Sequence, residues 1–265
     1  MAKRALILLQ RDWGLKIGRH IVNKLIEDGY TISALTLKRS THNYFLTQNE
    51  IKFCHLINLD TIIENPSAVS GVDKITIEDV CKGLAVKSVW PFFQERLYIR
   101  NYNDKYYYSF RQNRNDDDCR ALIKAYYISI SELFDHCKPE VIISPNFAAT
   151  IHAMLYHFGK NNDVPMFALE PSFVSGIYSC NTDYSWGSSP LTSRFNQLIE
   201  GDSKSDNWEK SKNYVNRFRQ QFIEPTGHIE NITNISGIID EKFRRSINLP
   251  NIGFVKRSKI RLRPF

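Results

Sequence analysis

The feature of the sequence that most constrains the fold is a β-α-β pattern between residues 138 and 172. Two apolar runs, Val141–Ile143 and Val164–Leu169, flank a segment in which apolar residues recur at helical spacing. Consecutive β-branched residues are typical of a strand that is buried on both faces. A crossover of this kind joins parallel strands. The pattern therefore predicts an open α/β sheet whose ligands bind at the carboxyl ends of the strands.

The beginning of the chain repeats this pattern. Ala5–Leu9 is a continuous apolar run, Leu15–Asp28 has an amphipathic helical stripe, and Tyr30–Leu37 is a second strand. Gly29 stands where a helix C-cap glycine is expected. Lys52–Leu59 is a plausible third strand. Together these segments predict parallel strands with helices between them.

Further helices are predicted in the middle and at the end of the chain. Asp116-Asp117-Asp118 precedes a strongly helical segment that ends at Cys137, so the three carboxylates are interpreted as a helix start and not as a metal site. A polar loop, Phe173–Pro190, separates the α/β part from helices at Leu191–Ile199 and Trp208–Phe222. The predicted fold is a Rossmann-like parallel sheet with flanking helices (residues 1–190) and a helical annex with a basic tail (residues 191–265).

Composition excludes some classes of protein and leaves others open. The 265 residues are 42% hydrophobic and 24% charged, as in an ordinary globular domain, and carry a formal charge of +7. That charge permits an anionic partner without choosing among a sugar nucleotide, a phospholipid surface and a nucleic acid. No apolar run approaches the ~20 residues that span a bilayer. We expect a cytoplasmic protein, for which peripheral contact with the inner face of the membrane is allowed.

The five cysteines form no metal-binding or disulfide pattern. They are an odd number and far apart in sequence, and no CxxC or Cys/His cluster is present. Reduced thiols, no metal and no cofactor are therefore expected. The cysteines are Cys54, Cys81, Cys119, Cys137 and Cys180.

The loop after the first predicted strand holds four candidate site residues. Gly14 and Gly18 lack the GxGxxG spacing of a dinucleotide fingerprint, yet glycines at a helix N-terminus can let an anion approach the backbone. The alternative is that Gly14 makes a turn and Gly18 permits close helix–sheet packing. Arg11 can bind a phosphate or carboxylate, or be a surface charge. Asp12 is a candidate general base, with an Asx turn as its alternative.

A second group of candidates follows the later strands. Glu170 can serve as the general base for an acceptor hydroxyl, or it can cap the next turn or pair with an arginine. Asn146 and Ser172 can contribute polar groups to a ligand. His152 and His157 are five residues apart and do not share a helical face, so each is interpreted as structural.

Aromatic and basic residues are interleaved between Tyr102 and Arg114. Such residues, Arg111 among them, can stack on sugars or bases and neutralise phosphates. The alternative is a loop that packs its tyrosines on the surface of the domain. Basic residues are spread along the chain and not clustered on one element, which makes a nucleic-acid partner the weakest of the alternatives.

The glycine loop, the aromatic and basic middle, and the sequence PEVIISPNF…VPMFALEPS together resemble a known family. They are similar to the N-terminal, acceptor-side half of GT-B-type bacterial capsule and surface-polysaccharide glycosyltransferases. The resemblance covers roughly residues 5–190. It implies two Rossmann-like domains around a cleft, and it places the loop Arg11–Gly18, Asn146 and Glu170 at cleft-facing positions. This chain shows no second β-α-β series after residue 190, so it is expected to lack the donor-binding domain, as a fragment, a divergent short member or half of a two-chain enzyme.

The resemblance implies transfer of a sugar from a nucleotide-sugar donor to a glycan or lipid-linked acceptor. Glu170 or Asp12 would be the base, and Arg11 with the amides of the glycine loop would stabilise anionic groups. Gly14, Gly18, Asn146, Ser172 and Arg111 complete the predicted substrate-binding set. Two alternatives stay open: a non-catalytic glycan- or nucleotide-binding module that needs a partner chain, and a nucleic-acid-binding protein.

Overall fold

The structure is a computed structural model that describes residues 3–10, 13–94, 115–172, 174, 177–183, 189–201 and 205–221. Its strands are β1 (Lys3–Leu9), β2 (Tyr30–Thr36), β3 (His55–Asn58), β4 (Val141–Ser144), β5 (Met166–Pro171) and β6 (Tyr178–Asn181). Its α-helices are α1 (Arg19–Glu27), α2 (Arg39–Thr47), α3 (Leu59–Glu64), α4 (Ile77–Gly83), α5 (Asp116–Cys137), α6 (Thr150–Asn161), α7 (Ser189–Ile199) and α8 (Trp208–Gln220).

The strands form one sheet in the order β3-β2-β1-β4-β5-β6. The first five strands are parallel, and β6 pairs antiparallel with β5 at the edge. The order of β1 to β5 is that of the doubly wound Rossmann fold, in which the chain reverses its direction of travel between the first and the fourth strand. The predicted α/β, Rossmann-like fold with a mainly parallel sheet is confirmed.

Helices cover both faces of the sheet because β1 is apolar on both sides. From Ala5 to Leu9 every residue is buried, and alternate side chains enter two separate hydrophobic clusters. Leu6 and Leu8 pack with α3 to α6 on one face, whereas Ala5, Ile7 and Leu9 pack with α1 and α2 on the other. A two-sided core of this kind is what a continuous apolar strand predicts.

The elements predicted within the described residues are present, with differences at their ends, whereas the predicted basic tail lies outside those residues. Gly29 adopts a left-handed backbone (φ 84°) after α1, as a C-cap glycine does. Asn115 is the actual N-cap of α5, because its Oδ1 accepts a hydrogen bond from the amide of Asp118 at 2.7 Å, and the three aspartates fill the first turn. The interpretation of Phe173–Pro190 as a loop was incomplete, because β6 lies within it.

Candidate functional site

The topological switch point lies between the carboxyl ends of β1 and β4. β1 ends at Leu9 and β4 at Ser144, and the two strands are parallel neighbours in the sheet. The chain leaves β1 toward a helix on one face and leaves β4 toward a helix on the other, so a crevice opens between the two loops. Candidate residues at positions 10, 13–18, 144–152 and 170 are brought to this edge.

The glycines after β1 are explained by close packing. A Cβ atom on Gly14 would lie 2.8 Å from the carbonyl carbon of Leu9, and one on Gly18 would lie 2.8 Å from a Leu9 methyl carbon. The Gly14 amide donates to the carbonyl of Gln10 at 2.9 Å, which closes the turn into a π-helical segment, Gly14–Gly18. Arg11 and Asp12 lie outside the described residues. Anion binding by this loop stays a prediction.

Asn146 and Ser172 make local hydrogen bonds. The side-chain oxygen of Asn146 accepts from the amide of Ala148 at 3.0 Å, and its carbonyl accepts from the Ser144 hydroxyl at 2.7 Å. The Ser172 hydroxyl donates to the carbonyl of Val174 at 3.0 Å and accepts from its amide at 3.1 Å. These are Asx- and Ser/Thr-type turns. Contact of either residue with a ligand stays a prediction.

Glu170 links three segments at the carboxyl edge of the sheet. One carboxylate oxygen accepts from the amide of Phe147 at 3.2 Å, and the other accepts from the side-chain amide of Asn181 at 2.9 Å. The carboxylate thereby ties the β4–α6 loop and β6 to β5. Each carboxylate oxygen has about two acceptor sites, so one on each remains for a substrate hydroxyl. The position is compatible with the predicted general base, and that role stays a prediction.

His152 occupies the first turn of α6 and is completely buried. Its Nδ1 accepts a hydrogen bond from the amide of Ala149 at 2.9 Å, so in the neutral ring the proton is on Nε2. Burial lowers the pKa of His152 to about 3, because the charged imidazolium would lose its hydration. The side chain is therefore a neutral N–H donor at physiological pH. His157, farther along α6, is partly buried beside Phe92 and Tyr156.

Three buried polar atoms beside the switch point have no hydrogen-bond partner in the part of the chain that the structure describes. They are Oε1 of Gln10, Nε1 of Trp13 and Nε2 of His152. Gln10 and Trp13 follow β1, and His152 begins the helix that follows β4. Buried polar groups are normally paired with protein, water or a ligand. These two donors and one acceptor lie on the segments that flank the switch point, where a buried water or a ligand can pair with them, and sequence patterns carried no signal for this group.

A second polar cluster lies at the carboxyl ends of β2 and β3 and is internally paired. The Lys38 ammonium lies 3.4 Å from the Asp60 carboxylate, which also accepts from the Arg39 amide at 3.0 Å. Both Lys38 and Asp60 are buried. Nearby, the Thr36 hydroxyl lies 3.1 Å from Nδ1 of His42. The buried pair anchors the loop after β2, and its carboxylate is occupied by protein donors.

A cavity of about 420 Å³ opens between α4, the 3₁₀ turn Trp90–Gln94 and the start of α5. Its walls are mainly apolar, with one carboxylate and one guanidinium among them. The Thr150 hydroxyl at the start of α6 donates to the carbonyl of Phe92 at 2.7 Å, which joins the 3₁₀ turn to the first turn of α6. The lining residues are Ile77, Val89, Trp90, Phe93, Asp116, Cys119 and Arg120.

The remaining sequence predictions concern Arg111, the cysteines, metal binding and membrane-spanning helices. Arg111 and the aromatic and basic stretch from Tyr102 to Arg114 lie outside the described residues. None of the five cysteines forms a disulfide, and burial raises the pKa of the Cys137 thiol to about 11. Among described residues, no three His, Cys, Asp or Glu side chains are grouped as metal ligands would be. None of the described helices combines the length and the apolarity needed to cross a bilayer.

Comparison with family models, with curated proteins and with solved structures finds no match for this chain. The fold and the geometry of the crevice therefore carry the functional argument.

Proposed function

We propose that the chain binds a hydroxyl-bearing ligand at the β1/β4 crevice and acts in glycosyl transfer from a nucleotide sugar during bacterial surface or capsular polysaccharide biosynthesis. The observation that carries the proposal is the set of unpaired buried groups on Gln10, Trp13 and His152 at the switch point. A sugar hydroxyl both donates and accepts, so it can satisfy an acceptor such as Gln10 Oε1 or a donor such as His152 Nε2–H. The resemblance to the acceptor side of GT-B-type enzymes supplies the reaction class.

The chemistry required of the site is a displacement at the anomeric carbon of the donor sugar. The acceptor oxygen forms a bond to that carbon while the bond from the carbon to the phosphate oxygen breaks, and a nucleotide leaves with the electron pair. The acceptor proton passes to a carboxylate, for which Glu170 is the described candidate and Asp12 the other. Because Glu170 is held by Phe147 and Asn181, it would be fixed in place as a base should be.

A second candidate function is a non-catalytic module that binds a glycan or nucleotide and works with a partner chain. The hydrogen bonds of Glu170 favour it, because both carboxylate oxygens already serve to hold the β4–α6 loop and β6. The cavity between α4, the 3₁₀ turn and α5, lined by Trp90 and Phe93 among others, is of a size that fits a small ligand. In this case Glu170 contributes to structure alone, and the donor-binding half belongs to another polypeptide.

A thermal-shift screen of the whole chain against nucleotides, nucleotide sugars and short glycans tests the proposal. A ligand that binds the native state raises the apparent melting temperature by mass action. Stabilisation by a nucleotide sugar supports a donor site in this chain, and stabilisation by glycans alone supports an acceptor-binding module. If neither class of ligand shifts the melting temperature, the proposed function is wrong.

Two variants distinguish the catalyst from the binding module. Glu170→Gln preserves the size of the side chain but cannot accept a proton, so turnover of a stabilising donor should fall by about 10²–10⁴-fold while ligand binding persists. Asn181→Ala is the matched control, because it removes a hydrogen bond to the same carboxylate and leaves the carboxylate in place. Undiminished activity of the Glu170→Gln variant would exclude Glu170 as the base.

A further inference from the structure

Helix α8 presents an apolar stripe at the surface. Trp208, Val215 and Phe218 recur at spacings of seven and three residues, so they lie on one side of the helix. Trp208 is 67% exposed, and α8 has no buried residue. An amphipathic helix of a globular domain normally buries such a stripe against a core. The position of these large side chains therefore indicates a surface that contacts something outside the α/β core.

Helix α7 has a second exposed apolar stripe. Phe195, Leu198 and Ile199 recur at helical spacing, and Phe195 and Ile199 are 58% and 68% exposed. Clustered large apolar side chains at a surface mark interaction sites, whereas single ones need no explanation. The two helices follow one another in the chain after the edge strand β6.

Cationic side chains border the apolar stripe of α8 on both sides. At 100° per residue, Lys212 and Arg219 lie along one border and Lys210 and Arg217 along the other. Helices α7 and α8 together carry five cationic side chains, with Arg194 the fifth, against one carboxylate. The opposite side of α8 is polar. Long cationic side chains at the borders of an apolar stripe can extend to lipid phosphates while the stripe enters the acyl boundary.

We propose that the apolar and cationic surface of α8 binds an anionic phospholipid membrane, with α8 lying in the plane of the interface and the exposed apolar stripe of α7 adding to the binding. The apolar residues would supply the hydrophobic part of the binding free energy, and the bordering lysines and arginines would supply attraction to anionic headgroups. Charge complementarity selects a lipid surface over a second copy of this chain, because two copies would bring the same cationic borders together. The inference does not depend on what the β1/β4 crevice binds.

Flotation of the purified full chain with phosphatidylcholine vesicles, with and without phosphatidylglycerol, tests this inference. The chain should float with the anionic vesicles, stay behind with the neutral ones, and dissociate at high salt because the charges become screened. Replacement of Lys212 and Arg219 by glutamine should lower partitioning by about fivefold for each charge removed. Trp208→Ser should lower it further by removing the largest apolar side chain from the stripe.

Matched variants on the α/β part are the controls. Lys82→Gln with Lys87→Gln removes the same charge from exposed positions, and Leu46→Ser removes a large apolar side chain that is 62% exposed on α2. These variants should float like the unaltered chain. The inference is wrong if the full chain does not float with anionic vesicles, or if the control variants lose binding equally. It is also wrong if sedimentation shows self-association that Trp208→Ser abolishes, since the surface would then join two copies.

Discussion

Replacing Asp60 with asparagine removes the anion that faces the buried ammonium of Lys38. Asp60 is 0% exposed and Lys38 is 4% exposed, so water cannot take over the role of the carboxylate. At the observed 3.4 Å, Coulomb's law with an effective dielectric constant of 20 gives an attraction of about 5 kcal/mol. Breaking a buried pair by removing one partner typically costs about 3–5 kcal/mol. We expect the free energy of unfolding to fall by an amount in that range.

Urea unfolding followed by far-ultraviolet circular dichroism measures this loss. With a urea dependence of about 3 kcal/mol per molar, the upper end for small proteins, the midpoint should fall by about 1–1.7 M. Glu27→Gln is the control, because Glu27 pairs with Lys24 at an exposed site where an ion pair adds little to stability. The reasoning is refuted if Asp60→Asn shifts the midpoint no more than Glu27→Gln does.

Two further predictions concern His152 and Gly14. Burial lowers the pKa of His152 to about 3 in the folded protein, whereas the same side chain in the unfolded chain has the ordinary pKa of about 6.5. Between these two pH values the unfolded chain binds one more proton than the folded protein. The free energy of unfolding should therefore fall by up to ~1.4 kcal/mol per pH unit as the pH is lowered from 6.5 toward 3. His152→Gln, which keeps an acceptor for the Ala149 amide but does not titrate, should flatten that pH dependence in urea unfolding at pH 7 and 5; an unchanged slope would contradict the assignment. Gly14→Ala should lower the melting temperature in calorimetry, by a destabilisation of about 1–3 kcal/mol, because its Cβ would contact the Leu9 backbone. A higher melting temperature would show that the helix preference of alanine outweighs this contact.

Much of the fold could be predicted because the parallel strands are continuous apolar runs. The apolar runs Ala5–Leu9 and Val141–Ile143 indicate strands that are buried on both faces, and the apolar stripes between strands indicate helices. β6 was missed because Tyr178–Asn181 is a short, partly exposed strand at the edge of the sheet. It is a strand because its backbone pairs with β5, and no local pattern shows that pairing.

The sequence predicted the positions of candidate site residues that follow strands, but it did not predict their hydrogen-bond partners. The carboxyl end of each strand is a local feature, so Asn146 and Glu170 could be placed at the crevice edge from sequence. The hydrogen bonds of Glu170 to Phe147 and Asn181 join residues 23 and 11 positions apart. These partners depend on the order of strands in the sheet, and that order is a tertiary property.

The sequence by itself determined most of the strands and helices, that the sheet is mainly parallel, and at which edge of it a ligand is expected. Tertiary structure decided that Lys38 pairs with Asp60, and that His152 is a buried, neutral donor. It also decided that the stripes of α7 and α8 stay at the surface. The physical reason is separation along the sequence. Hydrophobic periodicity is set by residues a few positions apart, whereas burial and pairing depend on segments far apart in the chain.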